Sequence, residues 1–256
     1  MLSSLLNPIF SPILGLPPLV SIVIISLLVS FLITIVYKFM TDQTMMKDLK
    51  TRQKEFQKKM KEHRQEPDKL MKIQKQAMEV NMKYMTQSFK PTLITFIPII
   101  LIFGWLNANI AFEPIHPGQE FLTTVMMKEG YTGDITMNVP DGITIMGQRS
   151  KEIIDGVAQF TLKGDEGDYL LVFNHEGRSY DKELSITDSQ RYAPVQKTFK
   201  DSPVQSISLG NNKLIALNFV GKEEGGITSG RLGWLGTYIL FSLVFSLVLR
   251  KALKIY

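Results

Sequence analysis

The sequence predicts a membrane protein of mixed α and β class. It has three transmembrane helices, a cytoplasmic antiparallel coiled-coil hairpin between the first two, and an extracytoplasmic β-sandwich-like insert between the last two. Three observations predict it. The 256-residue chain carries three charge-free apolar runs, residues 19–37, 91–112 and 232–249, each close to the length that crosses a bilayer as a helix. Charge is segregated: residues 38–90 hold 14 basic and 7 acidic side chains, whereas residues 112–230 hold 11 basic and 17 acidic. The acidic block also breaks into short runs rich in β-branched and aromatic residues, separated by turn residues.

The last run sets the topology. Arg250, Lys251 and Lys254 follow it at once, and a basic cluster abutting an apolar span stays on the cytoplasmic side. The chain therefore ends inside, and the other elements are threaded to agree. Residues 1–40 hold an apolar segment broken by Pro8, Pro12, Pro17 and Pro18, then the first span at 19–37, stopped by Lys38. The segment lacks the basic start of a signal peptide, and the N-terminus lies outside. Residues 41–90 form the hairpin. Met46, Leu49, Gln53, Phe56, Met60 and His63 fall at alternating steps of three and four, an a/d seam. Pro67 breaks that helix, and the seam restarts at Leu70, Ile73, Ala77, Val80 and Tyr84. The turn falls near residues 66–68, and the hairpin is about 30–35 Å long at the helical rise per residue.

Residues 91–112 are the second span, with Pro91 in its first turn, a kink at Pro98 and Trp105 at the outer interface. Residues 113–230 form the β domain, with strands expected at 120–127, 134–139, 143–147, 157–162, 169–174, 179–187, 204–209 and 213–220. Asn174-His175-Glu176-Gly177 reads as a hairpin turn. Asp165-x-Gly167-x-Tyr169-x-Leu171 resembles the tyrosine-corner stretch of immunoglobulin-like domains. Residues 225–230 read as a flexible linker into 231–256, the third span and its basic tail.

Composition narrows the chemistry. There is no cysteine, and His63, His116 and His175 lack ligand spacing, so neither a disulfide framework nor a thiolate metal site is expected. No Ser/His/Asp set and no intramembrane carboxylate pair occurs. The glycine-rich residues 221–226 lack the P-loop pattern. Asp165, Glu166 and Asp168 lack EF-hand spacing and read as a solvated turn. The expectation is a protein that is not an enzyme and uses no cofactor and no metal.

Three features remain. Hydroxyls recur in the spans: Ser26, Ser30 and Thr34 lie on one face of the first. Ser30 and Thr34 there, Thr92 and Thr95 in the second, and Ser242 and Ser246 in the third fall in the cytoplasmic halves. They either line a hydrophilic recess that lowers the cost of carrying polar groups into the bilayer, or bond back to their own helices and join neighbours. Eight of the thirteen methionines lie between Met40 and Met85. Flexible, polarizable side chains such as Met71, Met78, Met82 and Met85 suit varied apolar partners, or fill gaps in a thin coiled coil. Lys47, Lys50, Arg52, Lys54, Lys58, Lys59, Lys61 and Arg64 give the first arm dense positive charge. That charge suits ribosomal RNA at the hairpin tip, or anionic lipid.

One span, a basic methionine-rich coiled coil, two further spans and a closing Gly-Trp-Leu-Gly-x-Tyr…Phe-Ser…Leu-Arg-Lys-x-Leu-Lys-x-Tyr, here residues 233–256, resemble the archaeal YidC-like membrane proteins. The Met/Gln-rich helix running into Lys-Pro and an apolar span, residues 78–104, is similar too. These proteins belong to the superfamily of bacterial YidC, the mitochondrial oxidase-assembly insertase and relatives in the endoplasmic reticulum. The resemblance covers residues 21–111 and 231–256, and leaves the β domain as an insertion in the outer loop. It implies a multi-pass protein of the cell membrane that inserts hydrophobic segments through a cytoplasm-open hydrophilic groove. It also implies the lipid bilayer, nascent membrane proteins and the ribosome as partners, with other membrane subunits in some members. The basic residue that many superfamily members carry within the groove has no counterpart inside the three runs. Either Lys38, Lys90 or Arg250 reaches in from the rim by snorkelling, or hydroxyls alone line the groove. The residues by themselves also fit an extracytoplasmic binding or sensor protein. An ion channel fits less well, because the spans lack charge.

Overall fold

The computed structural model describes residues 2–218 and 231–255. The end of the last expected strand, the glycine-rich residues 221–226 and the linker at 225–230 lie outside the described residues. The chain divides into two compact units, one built from Leu19–Gly104 and Leu235–Tyr256, the other from Ser3–Pro18 and Trp105–Trp234.

Three helices of the first unit are long and apolar enough to cross a membrane. Helix α2, Pro18–Met40, opens on a proline whose missing N–H costs nothing at that position. Its buried residues, Ser21, Ile22, Ile25, Ser26, Val29, Ser30, Thr34 and Tyr37, recur every three to four positions, which puts them in one stripe. Val20, Leu27, Leu28, Phe31 and Leu32 lie outside that stripe and are exposed. Helix α3, Gln43–Glu62, starts at Asp42, whose carboxylate accepts from the backbone N–H of Thr44 and Met45 at 2.9 and 3.0 Å, satisfying two orphan donors. His63 and Glu66 make the turn. The Glu66 N–H donates to the His63 carbonyl at 3.0 Å. The Glu66 carboxylate meets Lys69 at 2.6 Å and His63 at 2.9 Å, and the hydrogen bond from Lys69, then that from His63, holds it below the usual carboxylate range.

Helix α4, Pro67–Asn109, runs back without interruption for 43 residues. Its first part lies antiparallel to α3, tied by Gln53 Nε2 donating to Asn81 Oδ1 at 2.8 Å. From residue 47 to residue 85 the seam residues, and no others, are shielded from solvent. The expectation that a separate helix begins at Pro91 is corrected: Pro91 and Pro98 both lie inside α4. Each removes one i→i−4 bond but leaves the flanking turns intact, and such prolines are tolerated in membrane-spanning helices. The helix stops at Asn109, short of the expected residue 112. Ala111 and Phe112 turn off into the second unit, where the Ala111 N–H donates to Tyr192 Oη at 2.8 Å and Phe112 bridges to Lys213. Helix α5, Trp234–Ala252, closes with Lys254 at φ 51° and the Ile255 N–H bonded to the Arg250 carbonyl at 2.9 Å, a left-handed C-terminal cap.

The second unit begins with a helix where a proline-broken segment was expected. Helix α1, Leu2–Leu14, contains Pro8 and Pro12. Spaced four apart, they remove bonds from one side of the helix only. Phe10 packs on Trp105 at 5.2 Å, and Trp105 Nε1 donates to Asn7 Oδ1 at 2.7 Å, so tertiary contacts support the helix.

The β domain forms two antiparallel sheets. One has the order β3-β5-β1-β9-β8 and the other β4-β2-β6-β7, with β1 Phe121–Met127, β2 Asp134–Asn138, β3 Ile143–Ile145, β4 Ser150–Glu152, β5 Val157–Gly164, β6 Gly167–His175, β7 Arg178–Ile186, β8 Gln196–Thr198 and β9 Val204–Leu209. Val125, Phe160, Leu162 and Ile207 from the first share a core with Ile135, Met137, Leu171, Phe173 and Leu184 from the second, and Phe160 meets Phe173 edge-on at 5.9 Å. Alternating burial along β1 and β2 is the period of a strand with one face in a core. The expected hairpin turn joins β6 to β7, with Glu176 and Gly177 at φ 47° and 75°, the signs a two-residue type I′ turn requires. Tyr169 Oη donates to the Asp165 carbonyl at 3.1 Å, the bond a tyrosine corner makes.

Three short strands were not expected: β4, β8 and β11, Arg231–Gly233, which pairs with β10, Ile215–Asn218. The last changes the third span. Leu232 and Gly233, expected in the helix, are held in a strand, and α5 starts at Trp234.

Candidate functional site

Within the first unit, α2, α4 and α5 line an open cavity of about 280 Å³ at the end nearest the hairpin. Polar groups are mixed with apolar surface in its lining. From α2 come Ile33 and Tyr37; from α4, Tyr84, Ser88, Pro91, Thr92 and Thr95; from α5, Arg250. The α4 residues follow from its continuity. Tyr84, Ser88, Thr92 and Thr95 are spaced by four, four and three, so a single helix passing through Pro91 presents all of them on one face.

The polar atoms are partly engaged. Tyr37 Oη lies 3.4 Å from Ser88 Oγ. Thr92 Oγ1 donates to the Ser88 carbonyl at 3.0 Å, and Thr95 Oγ1 is 3.1 Å from the carbonyls of both Pro91 and Thr92. Each hydroxyl keeps acceptor capacity after donating. The Arg250 guanidinium stands 5.0 Å from the Tyr37 ring centroid, a cation–π geometry. Of Lys38, Lys90 and Arg250, the structure brings Arg250 to the cavity. It stands in the last turn of α5, and its long stem lets the charged head reach sideways.

The remaining hydroxyls from the sequence lie elsewhere. Ser26 and Thr34 are buried and donate back to the carbonyls of Ile22 and Ser30, both at 2.6 Å. Ser30 donates to the Ser242 carbonyl at 3.3 Å, joining α2 to α5, and Ser242 donates to Ile239 at 3.0 Å. Ser246 is half-buried. The row on α2 therefore packs helices, and only Thr92 and Thr95 of the seven expected residues line the cavity. Tyr37, Tyr84 and Ser88 were missed, although the spacing that joins Tyr84 to Thr95 was readable once the helix is carried through Pro91. Met71, Met78, Met82 and Met85 are exposed on α4. The eight cations of α3 and its turn are exposed too, as are Lys251 and Lys254.

The arrangement is a small recess whose lining brings five hydroxyls and the Arg250 guanidinium together with apolar surface. Among the described residues no group of His, Cys, Asp or Glu side chains could hold a metal. Asp168, in the turn considered for a cation, is instead paired with Arg191 at 3.0 Å, which lowers its pKa. The second unit holds a separate cavity of about 640 Å³, lined by the α1–α2 connection, the end of α4 and residues 188–192.

No curated protein and no solved structure matches the chain. The family described as integral membrane protein EMC3/TMCO1-like matches residues 3–141, just over half of the chain. The match runs from α1 through both arms of the hairpin and all of α4 into the first strands. The recess, the basic hairpin and the apolar helices thus sit in a chain that belongs to the EMC3/TMCO1-like family of integral membrane proteins, a family related to the membrane insertases.

Proposed function

We propose that the protein is a membrane insertase of the archaeal YidC-like type. It lies in the cell membrane with the N-terminus and a β-sandwich domain outside, and the coiled-coil hairpin and C-terminus in the cytoplasm. Its substrates are newly made hydrophobic segments whose polar flanks must cross the bilayer. The observation that carries the reading is the recess at the hairpin end of the spans, where Arg250 and the hydroxyls of Tyr37, Tyr84, Ser88, Thr92 and Thr95 come together. An unpaired polar group in hydrocarbon costs several kcal/mol. A recess that supplies hydrogen-bond partners part-way into the bilayer removes much of that cost, and a guanidinium pairs well with a carboxylate.

The length of α5 adds to this. Because Leu232 and Gly233 are held in β11, its charge-free helical stretch runs only from Trp234 to Leu249. Those sixteen residues span about 24 Å, short of the ~30 Å hydrocarbon core. Thinning of the lipid beside α5 is one way to match it, and it shortens the path a substrate flank has to cross.

The test is insertion into proteoliposomes. Purified protein is expected to increase insertion of a translated single-span substrate over empty liposomes, and Arg250→Gln to lower that gain roughly fivefold, about 1 kcal/mol. Equal insertion in empty liposomes rejects the reading.

A further inference from the structure

The open cavity of the second unit is built from two span ends and one loop of the β domain. Leu14 to Pro17 lead into the first span at Pro18, and Ala108 and Asn109 close the second. By chain order both are the ends away from the hairpin, where a span leaves hydrocarbon for the headgroup layer. Residues 188–192 complete the lining and are pinned in place. Tyr192 Oη accepts from the Ala111 N–H at 2.8 Å, the Tyr192 ring meets Phe112 edge-on at 5.9 Å, and Gln190 Nε2 donates to the Phe112 carbonyl at 3.2 Å. The α1–α2 connection supplies apolar surface through Leu14, Leu16, Pro17 and Pro18, and the loop supplies polar groups. Those groups keep bonding capacity. Arg191 gives Nη1 to Asp168 at 3.0 Å and carries further N–H donors. Asp188 uses Oδ1 on His116 at 2.9 Å and has a second oxygen. Asn109 and Gln190 spend their NH₂ groups on backbone carbonyls, which leaves their side-chain oxygens as acceptors.

We propose that this cavity binds the headgroup of a membrane phospholipid that carries a primary amine, with the phosphate on Arg191 and the ammonium on Asp188. Position, size and charge each select that ligand. The apolar part of the lining leads directly into a span, so the occupant is an amphiphile and the bilayer supplies it. The volume of about 640 Å³ is that of a small-molecule site, enough for a headgroup and the first methylenes of its chains. The lining carries one guanidinium and one carboxylate, three residues apart in the chain, and a phosphate–ammonium headgroup carries the opposite pair. A guanidinium takes phosphate oxygens in its planar fork. An ammonium brings three N–H donors to a lining rich in acceptors, namely Asp188 and the amide oxygens of Asn109 and Gln190. A choline headgroup has no N–H to give, and a glycerol headgroup brings no cation to Asp188. A lipid held this way ties the loop of the β domain to the bilayer surface beside two spans. The proposal does not depend on the insertase reading.

The experiment uses the full chain, purified in detergent and titrated with phosphatidylethanolamine or phosphatidylcholine of matched acyl chains, with retained lipid counted by native mass spectrometry. One ethanolamine lipid per chain is expected, held about tenfold tighter than the choline lipid, the effect of one charge-assisted hydrogen bond. Asp188→Asn should bring the two lipids level. Arg191→Gln should weaken both roughly tenfold, because the phosphate is common to them. Ala108→Phe narrows the cavity and should abolish retention. Ala108, Asp188 and Arg191 are all exposed, so these variants should fold, and circular dichroism checks it. Arg178→Gln with Asp201→Asn, charges elsewhere on the β domain, should change nothing. Equal retention of both lipids by the unaltered chain overturns the proposal. So does retention that survives Ala108→Phe, or that falls equally in the Arg178 and Asp201 variant. Competition by soluble glycerophosphoethanolamine as strong as by the lipid would make a free headgroup the occupant and overturn the lipid.

Discussion

Lys182 shows how much a single residue's environment matters. It stands on β7 facing the core, is 1% exposed, and donates from Nζ to the carbonyls of Glu183 at 2.7 Å and Pro194 at 2.5 Å. Burial pushes its pKa down to about 8, partly offset by Glu183. The folded state then holds this proton less tightly than the unfolded chain, where a lysine titrates near its ordinary 10.5. The cost of the buried charge is present in full below pH 8 and is relieved as pH rises toward 10.5. Between pH 8 and pH 9.5 the β domain should gain about 1.5 kcal/mol, read as a higher denaturant midpoint, and Lys182→Met should abolish the gain. Tyr192, raised to about 12 by burial, acts in the opposite sense only above pH 10. A midpoint that does not rise over this window, or rises equally in the variant, removes Lys182 as the cause.

At the scale of elements, α4 and α5 are the informative pair. Continuity through Pro91 aligns the cavity residues of α4 with its hairpin seam, and the short α5 sets the mismatch with the bilayer. Inserting four apolar residues between Trp234 and Leu235 lengthens the charge-free stretch to about 30 Å and leaves Arg250 where it is. Under the insertase reading, insertion should fall about threefold, because the bilayer no longer thins beside α5. Insertion unchanged by the longer helix would take mismatch out of the mechanism.

For the whole molecule, the division into two units predicts two unfolding transitions. A Cβ on Gly164 would collide with the Cδ1 atoms of Ile143 and Ile186 and come within 3.0 Å of the Gly142 carbonyl. Overpacking of this kind costs about 1–3 kcal/mol. Gly164→Ala should lower the β-domain transition by roughly 5 °C, followed in the β-sheet or near-ultraviolet signal, while the helical transition stays in place. Matching shifts in both would mean that the chain unfolds as one cooperative body.

The sequence by itself determined the periodic and the apolar features, because each is written in local order. The three runs, the a/d seam from Met46 to Tyr84, eight strand positions and the Glu176-Gly177 turn all follow from spacing or from φ preferences that neighbouring residues carry. Tertiary structure decided whatever depended on partners distant in the chain. Proline is a local breaker, yet α1 and α4 pass through Pro8, Pro12, Pro91 and Pro98, supported in α1 by Trp105 and in α4 by the turns on either side. Leu232 reads as span until β10 pairs with its strand. Seven hydroxyls look alike in sequence, but which ones bond back, join helices or line a cavity depends on how three helices rotate against one another. Arg250 reaches the cavity because α5 packs with its last turn beside Tyr37, a contact across more than two hundred residues that no local spacing encodes.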